Sequence, residues 1–204
     1  NHEIIGFEDT EAKLKCIQHW DMDGDGELSY EEAAGVKSLG NVFTQDSLLC
    51  SFSELRYFTG LEDISPYAFQ DCKHLENVHF PRTVRYIRER AFQGTALGMV
   101  IIPSSVVAMG DGIFDECPQL ETVVFESVLP NVNEESLPLG HCPKLSAIFA
   151  PDFWTTPDPA RVAWRKRSHL ITHDIPFIDP VVKSICVSHW DRDGDGELSI
   201  AEAM

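Results

Sequence analysis

Apolar residues return along this chain in a long, regular rhythm. From Ile64 to Pro81 they stand at Ile64, Ala68, Phe69, Cys72, Leu75, Val78 and Phe80. The order repeats from Ile87, with Ala91, Phe92, Leu97, Val100, Ile102 and Pro103. It repeats from Met109, with Phe114, Cys117, Leu120, Val123 and Phe125. A looser copy runs from Val132 through Leu137, Cys142, Leu145 and Ile148 to Pro151, with Pro138 and two extra residues before Leu145. The starts lie 23, 22 and 23 residues apart. A fixed period of this length predicts a solenoid, because one coil buries its apolar side only against its neighbours.

Each copy changes period half-way. Ile64, Ala68, Phe69 and Cys72 are spaced by four and one, which predicts about two helical turns; Ser65 and Pro66 suit N-cap and N1. Leu75-x-x-Val78-x-Phe80 ends in alternation and predicts a short strand. The fold class is therefore α/β: a short solenoid with parallel strands on one face and short helices on the other. The pattern I-x3-AF-x-x-C-x-x-L-x-x-V-x-F/I-P resembles the BspA-like class of leucine-rich repeats, found on bacterial surface proteins, over residues 55 to 151. The asparagine ladder of other leucine-rich repeats is absent. The resemblance implies an extracellular or cell-surface location and a role in adhesion or partner recognition. Phe52-x-x-Leu55-x-x-Phe58, after Leu48-Leu49, predicts an irregular capping coil. Asp158-Pro159 predicts a helix to Arg167, whose Arg165–Arg167 charges suit a helix C-terminus, and Leu170-Ile171 a closing strand.

A second repeat frames the first. Residues 7–33 recur as residues 177–203, at a constant offset of 170. In the first copy, Leu14, Ile17 and Trp20 predict one helical stripe. An acidic stretch from Asp21 to Glu32 follows, and then a second helical segment with Ala33, Ala34, Val36 and Leu39 on its apolar side. Helix, twelve-residue loop, helix is the EF-hand plan. Calcium is a hard cation that takes six to eight oxygens at about 2.3–2.6 Å. Asp21, Asp23 and Asp25 fill positions 1, 3 and 5, and Gly26 permits the turn at position 6. Glu27 offers its backbone carbonyl, Ser29 acts directly or through water, and Glu32 supplies two oxygens. Leu28 points to the core. The second loop offers Asp191, Asp193, Asp195, Glu197, Ser199 and Glu202 in the same slots. The sequence ends two residues later, so Glu202 is expected on a fraying terminus and its site to be weaker.

Three regions follow: an EF-hand-like module over residues 1–40, the solenoid with its caps over 41–175, and a second EF-hand-like module over 176–204. The acidic loops also resemble those of dockerins. That resemblance implies an alternative function, in which the loops themselves form a docking surface.

Composition narrows the partners. With 33 acidic against 16 basic residues the net charge is −17, which disfavours nucleic acid and anionic membrane. No apolar run reaches the roughly 18 residues of a membrane helix. The chain begins at Asn1, as expected of a mature or trimmed form. The six cysteines lack metal spacing, and Cys72, Cys117 and Cys142 share a repeat position suited to a small buried side chain. No nucleophile elbow or phosphate loop is present, and the histidines have no catalytic partner at motif spacing, so a non-enzymatic role is expected.

If Val78 and Phe80 point inward, the alternate positions face out. Of these, His79, Met99, Ile101, Val124 and Phe149 are the candidates for contact with a protein or glycan. The competing reading is that a terminal segment covers this strip, or that it reflects strand propensity alone.

Overall fold

The structure, a computed structural model, describes residues 3–126, 139–149 and 171–172. Repeating coils stack in parallel and are joined through three kinds of ladder. The first is the predicted sheet. Ser51–Phe52 (β1) pairs with Asn77–Val78 (β3). Met99–Ile102 (β5), Thr122–Phe125 (β7), Ala147–Phe149 (β8) and Ile171–Thr172 (β9) follow in that order. All of these pairings are parallel.

The second ladder lies where helix was expected. Asp63–Ile64 (β2), Tyr86–Ile87 (β4) and Ala108–Met109 (β6) form a second parallel sheet. The third ladder is made by the residues that follow. They are tight turns, not helices. Left-handed residues interrupt each copy at four-residue intervals: Tyr67 and Asp71, Arg90 and Gly94, Gly112 and Glu116. Right-handed winding therefore cannot persist, and a run this short is marginal as a helix anyway. Alternate amides turn along the solenoid axis instead. Those of Tyr67, Phe69 and Asp71 donate to the carbonyls of Glu89, Ala91 and Gln93, at 3.2, 2.7 and 2.8 Å. Arg90, Phe92 and Gly94 repeat this onto Asp111, Ile113 and Asp115. Coil-to-coil bonds thus replace the i to i−4 bonds of a helix.

Inside, Phe43, Phe69, Phe92 and Phe114 stack down the axis with centroids 5.3, 5.0 and 5.6 Å apart and rings within 20° of parallel. Leu75, Leu97, Leu120 and Leu145 are buried beside them.

One end of the stack is closed by Thr10–Trp20 (α1) and Tyr30–Gly35 (α2). Asp9 caps α1 through the amides of Glu11 and Ala12, while its other carboxylate oxygen accepts from Cys50 and Ser51 at the start of β1. The buried stripe of α1 is Ala12 and Cys16, not the expected Leu14, Ile17 and Trp20; Leu14 is 57% exposed. Small residues four apart let the helix lie close on the first coil. Trp20 flanks that stripe and packs on Phe43 and Phe58. Gly60 serves the same close approach: a Cβ there would collide with the carbonyl oxygens of Ala34 and Val36. One continuous core runs from Ile5 through Leu28 and Phe43 to Ile148. The second acidic loop, Cys186 and the segment expected to be helical from 158 to 167 lie outside the described residues.

Candidate metal loop and partner-binding face

Between α1 and α2 the chain makes a compact acidic turn. One carboxylate oxygen each from Asp21, Asp23 and Asp25 lies within 4.8 Å of the other two. The turn is wound by its own acceptors. Asp21 takes the amides of Gly24 and Gly26 at 2.7 and 2.9 Å, Asp23 that of Asp25, and Asp25 that of Glu27. Gly24 and Gly26 hold φ of 75° and 84°, which a side chain would resist. Leu28 is fully buried and anchors the loop to the core.

Glu32 stands apart from the three aspartates. Its carboxylate accepts from the amides of Met22 and Ser29 and from the Ser29 hydroxyl, while Ser29 in turn caps α2. Burial alone would raise the Glu32 pKa. The donors from Ser29, Met22 and Asp23 outweigh it and hold the carboxyl below its ordinary range. The Glu27 side chain pairs with Lys13 at 2.7 Å, which leaves only its backbone carbonyl for the role expected of it. The donor set is all oxygen and close-spaced, so it fits a hard divalent cation. The loop's free strand edge is taken: Ile5 donates to Leu28 at 2.9 Å and Tyr30 to Glu3 at 3.0 Å.

The outward row of the first sheet lies elsewhere on the molecule. His79 is exposed and Ile101 is 41% exposed; Met99 and Val124 are half-buried. Phe149 departs from the expectation. It is only 6% exposed, yet lies outside the continuous core, so it is not part of an open strip.

The sheet is also broken in a way that sequence inspection missed. β3 and β5 do not pair. Three residue steps separate Cys72 from Leu75, Cys117 from Leu120 and Cys142 from Leu145, but two separate Thr95 from Leu97. That coil lacks one residue just before its strand. Elsewhere the residue before the strand bonds back to the preceding coil, as Glu76 does to Cys50 and Glu121 to Gly98. Among the described residues, Gly98 makes no such bond to Glu76. An open groove of about 540 Å³ lies across this break, with Arg56, Tyr57, His79, Phe80, Arg82 and Ile101 among its lining. The signal that would have found it is the single 22-residue period.

Residues 43–156 match the sequence profile described as "BspA type Leucine rich repeat region", in six copies. That is more than half of the 204 residues. The chain belongs to the BspA-type leucine-rich repeat family. As a BspA-type repeat protein it has similar solved structures, each with a low overall superposition. The pneumococcal vaccine antigen PcpA is 25% identical over 45% of this chain and 22% of its own, with a TM-score of 0.38. A leucine rich cell surface protein from Faecalibacterium prausnitzii is 26% identical over 46% and 34%, with a TM-score of 0.34. A leucine-rich repeat protein from Bacteroides ovatus is 19% identical over 73% and 38%, with a TM-score of 0.37. This BspA-type chain thus spans between 22% and 38% of the length of those proteins. No curated protein matches it. Among the described residues, no helix is long and apolar enough to cross a membrane.

Proposed function

We propose that this chain is a non-enzymatic binding scaffold of the cell surface, which holds its partner on the open face of the first sheet. Membership of the BspA-type family supports the surface location. The observation that carries the binding role is the outward row itself. Ile101 stands exposed beside His79, with Met99 and Val124 half-buried next to them, on a chain of net charge −17. Apolar side chains left open on so acidic a surface are suited to contact with a partner. The test uses the purified chain on an array of extracellular proteins and glycans. Replacing Met99 and Ile101 together by Ser is expected to abolish capture and leave the melting temperature nearly unchanged. Undiminished capture contradicts the assignment, and a large loss of stability shows that the row is core.

In the same proposal, calcium bound by Asp21, Asp23, Asp25 and Glu32, with the Glu27 carbonyl, braces the cap against the first coil. The second loop, through Asp191, Asp193, Asp195, Glu197 and Glu202, serves likewise. The dockerin-like alternative has less support. The edge through which the first loop would meet another is occupied by Glu3–Ile5.

A further inference from the structure

We propose that the groove across the break between β3 and β5 recognises an extended acidic peptide that sets an apolar side chain beside a carboxylate. This rests on the open sheet face being the binding surface.

The argument begins with Arg56. Its guanidinium lies 4.8 Å over the ring of its neighbour Tyr57, donates to the Tyr57 hydroxyl at 2.9 Å and meets Nδ1 of His79 at 3.4 Å. All three contacts are to groups that carry no negative charge. Among the described residues Arg56 has no carboxylate partner, on a chain where acids outnumber bases two to one. The side chain is thus held in place while its charge stays unmatched. A fixed planar guanidinium with free N–H groups is suited to a carboxylate, because little side-chain freedom is lost on binding.

The opposite rim carries Arg82, 82% exposed and 3.3 Å from Glu126. Glu126 is the acidic residue of this groove, and its other oxygen already accepts from the Ser104 amide at 3.2 Å. Arg82 and the Ser104 amide therefore offset it, and the unmatched charge of the groove is that of Arg56. The floor is different in kind. Val78, Phe80 and Pro103 are buried beneath it, and Ile101 stands up as an apolar wall. One unmatched guanidinium beside an apolar floor matches a peptide that sets an apolar side chain next to a carboxylate. An acidic sugar would leave that floor uncovered.

The test is fluorescence anisotropy on the full chain with a labelled hexapeptide, two leucines flanked on each side by two glutamates. Controls replace the glutamates by lysine or the leucines by serine, and a fourth probe is labelled oligogalacturonate. The leucine–glutamate peptide is expected to bind at least tenfold more tightly than every other probe. Arg56→Glu and Ile101→Ser are each expected to weaken it tenfold or more. Arg56→Gln, a milder change, weakens it less, and Lys73→Glu, outside the groove, leaves it unchanged. Equal binding of the lysine peptide, or a folded Arg56→Glu protein that binds as the parent does, overturns the proposal but leaves the face a binding surface. Preference for oligogalacturonate overturns it in favour of an acidic glycan. Absence of binding by all four probes also overturns it, and the fate of the broader function is then read from the array.

Discussion

Cys72, Thr95, Cys117 and Cys142 hold one position in successive coils, and all four are buried. The thiols of Cys72, Cys117 and Cys142 donate to the carbonyls of Phe43, Phe92 and Phe114 in the preceding coil, at 2.9, 3.2 and 3.0 Å. The sequence shows why a small residue belongs there; it does not show that a donor is wanted. Burial pushes the Cys72 thiol up to about 12, so it stays protonated and able to donate at neutral pH. Asp46 is the sharper case at this scale. Its side chain is 4% exposed, pairs with Lys15 of α1 at 2.9 Å, and takes the amides of Leu48 and Leu49. Burial would raise its pKa, but the Lys15 and amide donors prevail and hold it below the usual value. A folded-state pKa that is depressed contributes stability above the unfolded value, and that contribution is lost as pH falls through the folded one. The stabilisation is therefore full above about pH 5 and disappears on acidification below about pH 4. Asp46→Asn is expected to cost about 2–4 kcal/mol at pH 7 and much less near pH 3, as read by urea denaturation. An equal cost at both pH values would remove the ion pair from the account. No sequence motif announces Asp46, because its partner lies thirty-one positions away on another element.

The strands of the first sheet were legible because alternation survives in every copy. The turn side was not. Ala68-Phe69 and its copies keep helical spacing, yet the backbone is diverted at left-handed residues, and Tyr67, Arg90 and Glu116, unlike Asp71, Gly94 and Gly112, are not of types that favour that conformation. The apolar pattern reports which side is buried. It does not report whether amides bond within the coil or to the next one. The buried stripe of α1 was misread for a related reason: size matters as much as polarity where a helix lies close, so Ala12 and Cys16 took the place given to Leu14. The sheet break, in contrast, is written in the sequence as one missing residue. Inserting a single residue after Ala96 restores the regular spacing and is expected to join β5 to β3. Hydrogen exchange at Gly98 and Met99 would then slow markedly, and the groove peptide would lose affinity. Unchanged exchange would mean that the gap has another cause.

Across the whole molecule, the cap and the coils share one core from Ile5 to Ile148, so the acidic loop has a rigid body to brace. The loop's acidic spacing was legible, and Asp21, Asp23 and Asp25 do come together. Two features were not. Glu32 is held by Met22 and Ser29 outside the aspartate cluster, and Glu3–Ile5 closes the loop's edge. Three aspartates within 4.8 Å repel one another, on a chain already at −17, and a divalent cation would relieve both. Under the proposed calcium binding, linkage to folding would raise stability by about 2.7 kcal/mol at one hundred times the dissociation constant, which for extracellular calcium sites is about 10⁻⁴–10⁻³ M. The most direct measurement is the thermal melt of the full chain in chelator and in calcium, beside Asp21→Ala. A calcium-dependent rise of several degrees in the parent, mostly lost in Asp21→Ala, is the expected result. Superimposable curves for the parent with and without calcium would contradict the account.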